Sequence, residues 1–276
     1  MEGGDVRYGV CSWILGDTPL LRVAELLSGL GYSGIELFGD WKRYPAQASR
    51  KILYEHGLSV FSLTPENVDL AHPEKKVRKT ARDYYLRLLD YAAELGSPLI
   101  GCHGAVGRLR AISGQAKEER LLAEEVSVLS ARAEELGLRI ALEGLNRYES
   151  HLLNTAAALR SFADEVGSSA VGILLDTYHM NIEEGDLVGA IQTAGKKLFL
   201  FHVADSNRRA VGHGHIPFSI LLNRLKQADY SGPIIVECTA PGSDPFTVMK
   251  GTHWYEETVD ELDASICALR RLEAVL

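Results

Sequence analysis

The chain alternates between short apolar runs and longer segments with the periodicity of amphipathic helices. Most of the apolar runs are nearly continuous rather than alternating with polar residues, which is typical of parallel strands covered on both faces. These runs are Arg7–Trp13, Gly34–Phe38, Leu58–Thr64, Leu99–His103, Leu138–Glu143, Val171–Asp176, Leu198–His202 and Pro233–Glu237. The pattern therefore predicts eight strands separated by helices.

The segments between the strands carry apolar residues on one helical face and charged residues on the other. The predicted helices are Pro19–Leu30, Lys75–Leu95, Glu118–Leu136, Thr155–Val166, Asp186–Ala194, Phe218–Ala228 and Trp254–Val275. A glycine precedes several of the strands, where a helix needs a left-handed residue to end it. These glycines are Gly31, Gly57, Gly96 and Gly137.

Eight strand–helix units in 276 residues predict an α/β fold, a single (β/α)8 TIM barrel that occupies residues 1–276 as one catalytic domain. A doubly wound open sheet is the alternative. It would usually carry a glycine-rich phosphate loop after an early strand. The segment WILGDTP after the first strand has no G-x-G-x-x-G pattern, so the barrel is favoured.

Reactive residues of such barrels lie at the C-terminal ends of the strands. Six of the predicted strands carry ligand-type side chains at or near their C-terminal ends, and these are Glu36, His103, Glu143, Asp176, His202 and Glu237. Burying an unpaired charge is costly, so these positions are unusual for a barrel core. The last four belong to consecutive strands, which are neighbours in a barrel. We therefore expect them to converge on one point.

Glu143, Asp176, His202 and Glu237 are the predicted metal ligands. Three carboxylates and one imidazole favour Mn²⁺, with Co²⁺ or Mg²⁺ as alternatives, over the metals of thiolate sites. For any one of these residues the alternative is a structural role. Asp176, which is followed by Thr177, could equally cap a helix.

Three further polar residues follow the predicted ligands closely: Glu149, His179 and Arg208. A histidine and an arginine beside a metal could neutralise an oxyanion, and Glu149 could bind a hydroxyl group. The alternatives are an ordinary loop imidazole, a solvent-facing glutamate and a surface arginine paired with Asp205. By composition, Arg209 is as good a candidate as Arg208.

Other residues near the predicted site have weaker signals. His213 and His215 could form a metal pair, but an active-site loop is favoured because the strands already supply four ligands. We expect His103 to lie behind the metal ligands or near the substrate. Trp13 could line the pocket or the core, and Phe38 is assigned to the core.

The net charge of −8 disfavours nucleic acid and anionic membranes as partners. The start of the sequence lacks the features of a secretory signal, and no apolar run approaches the length of a membrane span. Cys11, Cys102 and Cys238 lie in apolar segments without CxxC spacing, as expected for buried cysteines of a reducing compartment. A cytoplasmic protein acting on a small molecule is therefore expected.

Four segments of the second half resemble a known family, the ketose 3-epimerases of the tagatose and allulose (psicose) type, within the xylose-isomerase-like barrel group. They are LEGLNRYES, LLDTYHMNIEE, HVADSNRRAVGHGHIPF and IIVECTA. The resemblance implies the metal ligands named above, with Glu143 and Glu237 also as the acid/base pair, and substrate contacts from Glu149, His179 and Arg208. It also implies a homodimer or homotetramer that binds a sugar and needs a divalent metal, most simply Mn²⁺, with no organic cofactor.

The implied reaction inverts carbon 3 of a ketose such as D-tagatose, D-fructose, D-allulose or L-ribulose, or of a related keto-sugar acid, through a metal-stabilised enediolate. Gly144 stands where the family usually has proline, and His213 stands where arginine is common. The resemblance therefore does not specify which sugar is the substrate. Alternatives on the same scaffold are an aldose–ketose isomerase and a cyclitol-ketone dehydratase. A DNA-repair endonuclease would need more metal ligands and a basic surface, and a non-catalytic metal- or sugar-binding module would need no acid/base pair.

Overall fold

A computed structural model describes residues 6–244 and 247–275 of the chain. The strands are β1 (Tyr8–Cys11), β2 (Gly34–Phe38), β3 (Ser59–Thr64), β4 (Leu99–Cys102), β5 (Arg139–Glu143), β6 (Val171–Asp176), β7 (Leu198–Val203) and β8 (Ile234–Val236). The helices are α1 (Leu20–Leu30), α2 (Ala46–Glu55), α3 (Lys75–Leu95), α4 (Gln115–Leu136), α5 (Ala156–Val166), α6 (Thr177–Glu183), α7 (Leu187–Ala194), α8 (Phe218–Gln227) and α9 (Trp254–Glu273). None of the helices in these ranges is long and apolar enough to cross a membrane.

The strands form one parallel sheet with the order β3-β2-β1-β8-β7-β6-β5-β4. Its first and last members, β3 and β4, lie close together, so the sheet is a nearly closed barrel. A right-handed helical crossover between successive parallel strands produces this arrangement when it is repeated around a circle. The predicted TIM barrel is confirmed.

The two faces of each strand contribute to different cores, because successive side chains of a strand point in opposite directions. One set, including Ile140, Ile173 and Val236, packs against the surrounding helices. The other set fills the barrel interior, and it consists of Cys11, Phe61, Leu99, Ala141, Leu174, Leu200 and Ile235. This alternation explains the near-continuous apolar runs of the sequence.

Gly34 shows how tightly the barrel interior is filled. A Cβ atom at this position would lie 2.2 Å from the ring of Phe61, so only glycine leaves the ring its space. The predicted helix-ending glycines meet a different need. Gly31, Gly57, Gly96 and Gly137 have φ angles of 83°, 70°, 86° and 68°, as left-handed residues at helix ends require.

The structure adds two helices that the periodicity did not predict. Helix α2 buries only Ser49 and Leu53 fully, so its sequence AQASRKILYE has a weak apolar stripe. Helix α6 is seven residues long and starts directly after Asp176, whose carboxylate accepts a hydrogen bond from the backbone N–H of Tyr178. The strand β1 is also shorter than predicted, because Ser12–Leu15 forms a 3₁₀ turn.

Candidate functional site

The strand alternation places the predicted ligands on the inner side of the barrel. Glu143 lies two residues after Ala141, Asp176 two after Leu174, and in each pair the earlier residue belongs to the interior core. His202 and Glu237 follow Leu200 and Ile235 by the same interval. The four side chains therefore form the next layer above the apolar interior, at the C-terminal end of the barrel.

Glu143, Asp176, His202 and Glu237 come together as a compact cluster. Each offers one potential ligand atom, and these atoms all lie within 4.8 Å of one another. The residues are only 1–7% exposed. Within the described residues, no hydrogen-bond donor reaches the buried Asp176 Oδ2. A buried acceptor without a donor among facing carboxylates fits a divalent cation, which carboxylate oxygens and an imidazole nitrogen bind well.

The charges of this cluster shift the pKa values of its members in opposite directions. Burial, together with the nearby Glu237 carboxylate, raises the pKa of Asp176 well above its usual range. Burial also disfavours the charged form of Glu237, but Arg208 and His202 outweigh it and hold its pKa well below the usual range. Such divergent shifts in one small volume are typical of functional sites.

Donors from neighbouring strands orient the two glutamates of the cluster. The indole Nε1–H of Trp13 donates to Glu237 Oε1 at 2.5 Å. His103 Nε2 lies 3.0 Å from Glu143 Oε2. Because each glutamate has its own partner, the carboxylates of Glu143 and Glu237 lie in different environments. His103 thus contacts a predicted ligand.

The predicted substrate contacts lie beside this cluster. Glu149, His179 and Arg208 are all buried, with exposures of 6%, 1% and 4%. Asn146 links two of them, because its side-chain Nδ2 donates to Glu149 Oε1 at 2.7 Å and lies 2.8 Å from His179 Nδ1. Asn146 was not among the predicted residues. Its only sequence signal is its place in LNRYE, between Glu143 and Glu149.

His179 is oriented towards the cluster by its hydrogen bonds. Its Nδ1 atom accepts from the backbone N–H of Asn146 at 3.3 Å, so the ring proton belongs on Nε2. Nε2 in turn lies 3.7 Å from Glu143 Oε1 and 4.0 Å from Asp176 Oδ2. Burial lowers the pKa of His179 to about 4, which keeps the ring neutral at physiological pH.

The structure distinguishes the two adjacent arginines. The Arg208 guanidinium points inward, 3.6 Å from Glu237 and 3.9 Å from Glu149, with the ring of Tyr178 4.8 Å away. Arg209 points outward to Glu261 of α9, with which its Nε atom forms a 3.0 Å hydrogen bond. Arg208 adopts a left-handed φ of 58°, and the side chains of Arg208 and Arg209 point in opposite directions.

The remaining candidates lie around the pocket or outside it. His213 bonds to Glu261 and His215 contacts Asn181, so neither histidine belongs to the four-residue cluster. Phe38 lines the pocket as well as packing on the core, so its assignment to the core alone was incomplete. Trp13 also lines the pocket.

The pocket above the cluster has a volume of about 220 Å³. Its polar end consists of Glu143, Glu149, His179, Arg208 and Glu237, together with His103. Its other walls include Trp13, Phe38, Thr64, Pro65, Asn67, Val106 and Leu145. A small cavity that is charged at one end and largely apolar elsewhere favours a compact polar molecule.

Cys11, Cys102 and Cys238, which were predicted to be buried, are buried in the structure, and Cys267 is exposed.

The fold and the cluster together define a TIM barrel with a buried carboxylate–imidazole centre at its C-terminal end. The sequence pattern of the xylose isomerase-like TIM barrel matches residues 24–264. A D-psicose 3-epimerase of Ruminiclostridium cellulolyticum is 35% identical over 188 residues, which are 67% of this chain and 61% of that protein. The aligned part is thus less than two thirds of that relative.

A D-psicose 3-epimerase of Agrobacterium fabrum is 34% identical over 239 residues, covering 83% of this chain and 80% of that protein. The crystal structure of a D-psicose 3-epimerase with D-tagatose from Clostridium cellulolyticum H10 shares the fold, with a TM-score of 0.87 and 24% identity over 97% of this chain and 99% of that one. The chain belongs to the xylose isomerase-like TIM-barrel family, and within it to the ketose 3-epimerases, a group of isomerase-class enzymes.

Proposed function

We propose that this protein is a divalent-metal-dependent epimerase that inverts carbon 3 of a ketose or a related keto-sugar acid. The observation that carries the proposal is the buried cluster of Glu143, Asp176, His202 and Glu237 at the base of a sugar-sized pocket. The named relatives support the reaction class. Cytoplasmic localisation, a homodimer or homotetramer, and Mn²⁺ as the preferred metal belong to the same proposal.

The four cluster residues are the proposed metal ligands. The oxygen-rich donor set suits Mn²⁺, Co²⁺ or Mg²⁺. When bound, such a cation supplies Lewis-acid stabilisation of negative charge on adjacent substrate oxygens. The unpartnered Asp176 Oδ2 and the raised pKa of this carboxyl are the features that a cation would relieve.

Glu143 and Glu237 are the proposed acid and base. Epimerisation removes the proton on carbon 3 and returns one to the opposite face, so it needs two groups that approach the carbon from different sides. Glu143 ends β5 and Glu237 follows β8, with β6 and β7 between them in the sheet. His103 contacts one carboxylate and Trp13 the other, so the two proposed proton-transfer groups are held by separate partners.

Three polar side chains are the proposed contacts to substrate oxygens. His179 is neutral with its Nε2–H aimed at the cluster, so it can donate a hydrogen bond to an oxygen on which charge develops. The Arg208 guanidinium supplies positive charge beside Glu237. Glu149, ordered by Asn146, can accept a hydrogen bond from a hydroxyl group.

The pocket limits the size of the substrate. Its volume of about 220 Å³ is smaller than the roughly 300–1,000 Å³ typical of sites for drug-sized ligands. A single monosaccharide is compatible with this volume. Within that class, D-tagatose, D-fructose, D-allulose, L-ribulose and keto-gluconates are the proposed candidates.

The test is a substrate panel in D₂O with metal-stripped protein, with and without added Mn²⁺. We expect deuterium incorporation and inversion at carbon 3 of one or more ketoses or keto-sugar acids, only when Mn²⁺ is present. Exchange at carbon 1 with formation of an aldose would instead identify an aldose–ketose isomerase, and a dione product would identify a dehydratase. Sugar binding without any exchange would identify a binding module.

A variant tests the acid/base role of Glu237, and it is assayed at saturating Mn²⁺ because Glu237 is also a proposed ligand. Glu237→Gln keeps the size of the side chain and the hydrogen bond from Trp13, but it removes the group that exchanges the proton. We expect a folded protein with epimerisation reduced by at least about 100-fold, the lower end of typical general acid–base effects. Near-normal turnover of this variant would contradict the assignment.

A further inference from the structure

Glu36 is a buried carboxylate close to the cluster that the proposed reaction does not use. It lies on β2, is 1% exposed and is not one of the four residues whose ligand atoms converge. We propose that Glu36 is a positioning residue that fixes the ring of His202 and makes Nδ1 its metal-binding atom. This inference rests on the proposed metal site.

The orientation of His202 carries the inference. Its Nε2 atom lies 3.1 Å from Glu36 Oε2, and its Nδ1 atom lies 3.3 Å from Glu237 Oε2. An imidazole that binds a metal is neutral, with one N–H and one lone pair. With the N–H on Nε2 donating to Glu36, the lone pair on Nδ1 faces Glu237 and the rest of the cluster.

Glu36 is itself fixed in place by short contacts from the neighbouring strands. Ser62 Oγ donates a short hydrogen bond to Oε2, and Thr64 Oγ1 donates to Oε1 at 2.7 Å. The thiol of Cys11 is 3.4 Å from Oε1. These donors come from β3 and β1, on either side of β2, so the carboxylate has little freedom to turn towards the metal position.

A carboxylate on the far nitrogen of a metal-binding histidine fixes its tautomer and increases its basicity. Glu36 supplies both effects to His202 from across the barrel interior. Strand β2 is separated from β7 by β1 and β8, so this contact crosses the barrel rather than joining adjacent strands. The residue therefore connects the first half of the barrel to a metal site otherwise built from the second half.

The first test is the affinity of metal-stripped protein for Mn²⁺, measured by calorimetry. Glu36→Gln is nearly isosteric, keeps an acceptor for Nε2–H and removes the negative charge. We expect its dissociation constant to rise about 10–100-fold, the range for loss of a partner of a metal-binding residue. We also expect much of the lost turnover to return at saturating Mn²⁺.

Glu125→Gln is the matched control. Glu125 is also buried, but it pairs with Arg78 and Arg82 between the outer helices, away from the cluster. This variant should lose stability without a comparable loss of Mn²⁺ affinity. An unchanged affinity of Glu36→Gln, or an equal loss in both variants, would overturn the role of Glu36.

The second test needs no variant. In ¹⁵N-labelled protein loaded with diamagnetic Zn²⁺ or Mg²⁺, the His202 ring should show a protonated Nε2 and a metal-bound Nδ1. A metal-bound Nε2 would overturn the inference. A wild-type protein that binds Mn²⁺ but epimerises no sugar would contradict the proposed function alone, because the affinity and the tautomer are read without turnover.

Discussion

Replacing Glu149 by glutamine should stabilise the metal-free protein at alkaline pH and leave it nearly unchanged at acid pH. Glu149 is 6% exposed, and burial together with Glu143 and Glu237 raises its pKa to about 7 although Arg208 and Asn146 oppose the shift. An ionised carboxylate at this position is therefore unfavourable in the folded state. Glutamine has the same shape and remains neutral.

The size of the effect follows from the shift. A glutamate that ionises near 4.5 in the unfolded chain and near 7 when folded loses on the order of 3 kcal/mol of stability on full ionisation. Because the folded state binds the proton more tightly, the free energy of unfolding falls as the pH rises between these values. The loss is complete above pH 7 and absent below about 4.5. For a chain of this length it corresponds to roughly 5–10 °C in Tm.

The assay is urea unfolding of wild-type and Glu149→Gln protein in EDTA at pH 4.5, 6 and 8. The difference in unfolding free energy should grow with pH and favour the variant. Glu165→Gln, at an exposed position of α5, is the control and should show no such growth. A constant difference, or a variant that is less stable at pH 8, would refute the reasoning about the buried charge.

Three further predictions concern the metal, the barrel interior and the two arginines. Adding Mn²⁺ at 100 times its dissociation constant should raise the unfolding free energy of the wild-type protein by about 2.7 kcal/mol. In a melting assay, Asp176→Asn should abolish this rise. A wild-type Tm that Mn²⁺ leaves unchanged would contradict the metal site. Gly34→Ala should lower the unfolding free energy by about 1–3 kcal/mol in denaturant unfolding, because its Cβ would lie 2.2 Å from the Phe61 ring. Adding Phe61→Leu to this variant should recover part of the loss. If the losses of the two single variants simply add in the double variant, the clash is contradicted. Arg208→Gln should lower kcat/KM at least about 100-fold, whereas Arg209→Gln should chiefly lower Tm through loss of its ion pair and leave kcat/KM nearly unchanged. An equal loss of kcat/KM in both variants would contradict their opposite orientations.

The fold could be predicted because burial on both faces leaves a strong local signal. All eight strands follow from apolar runs, and the glycines at the helix ends mark where most of them begin. Helix α2 could not be predicted in the same way. It buries few residues and is held by its neighbours in the helical layer rather than by its own apolar stripe.

The members of the site could be predicted from their place at strand ends, but their contacts could not. The choice between Arg208 and Arg209 depends on a left-handed backbone at one residue and on Glu261, some fifty positions later in the chain. The contact between Glu36 and His202 depends on a distance across the barrel that no local pattern contains. The catalytic and ligand roles of these residues stay predictions until the variants are measured.

The anchoring of the Arg208 loop by α9 makes the site depend on a helix that lies outside the sheet. Glu261 accepts hydrogen bonds from the Arg209 side chain and, at 2.5 Å, from the backbone N–H of Ala210. The loop that carries Arg208 is therefore secured by a helix that follows all eight strands in the chain. Helix α9 supplies none of the four clustered residues, yet through Glu261 it holds the backbone next to Arg208. A substitution at Glu261 would thus act on the charge beside the carboxylates from outside the sheet.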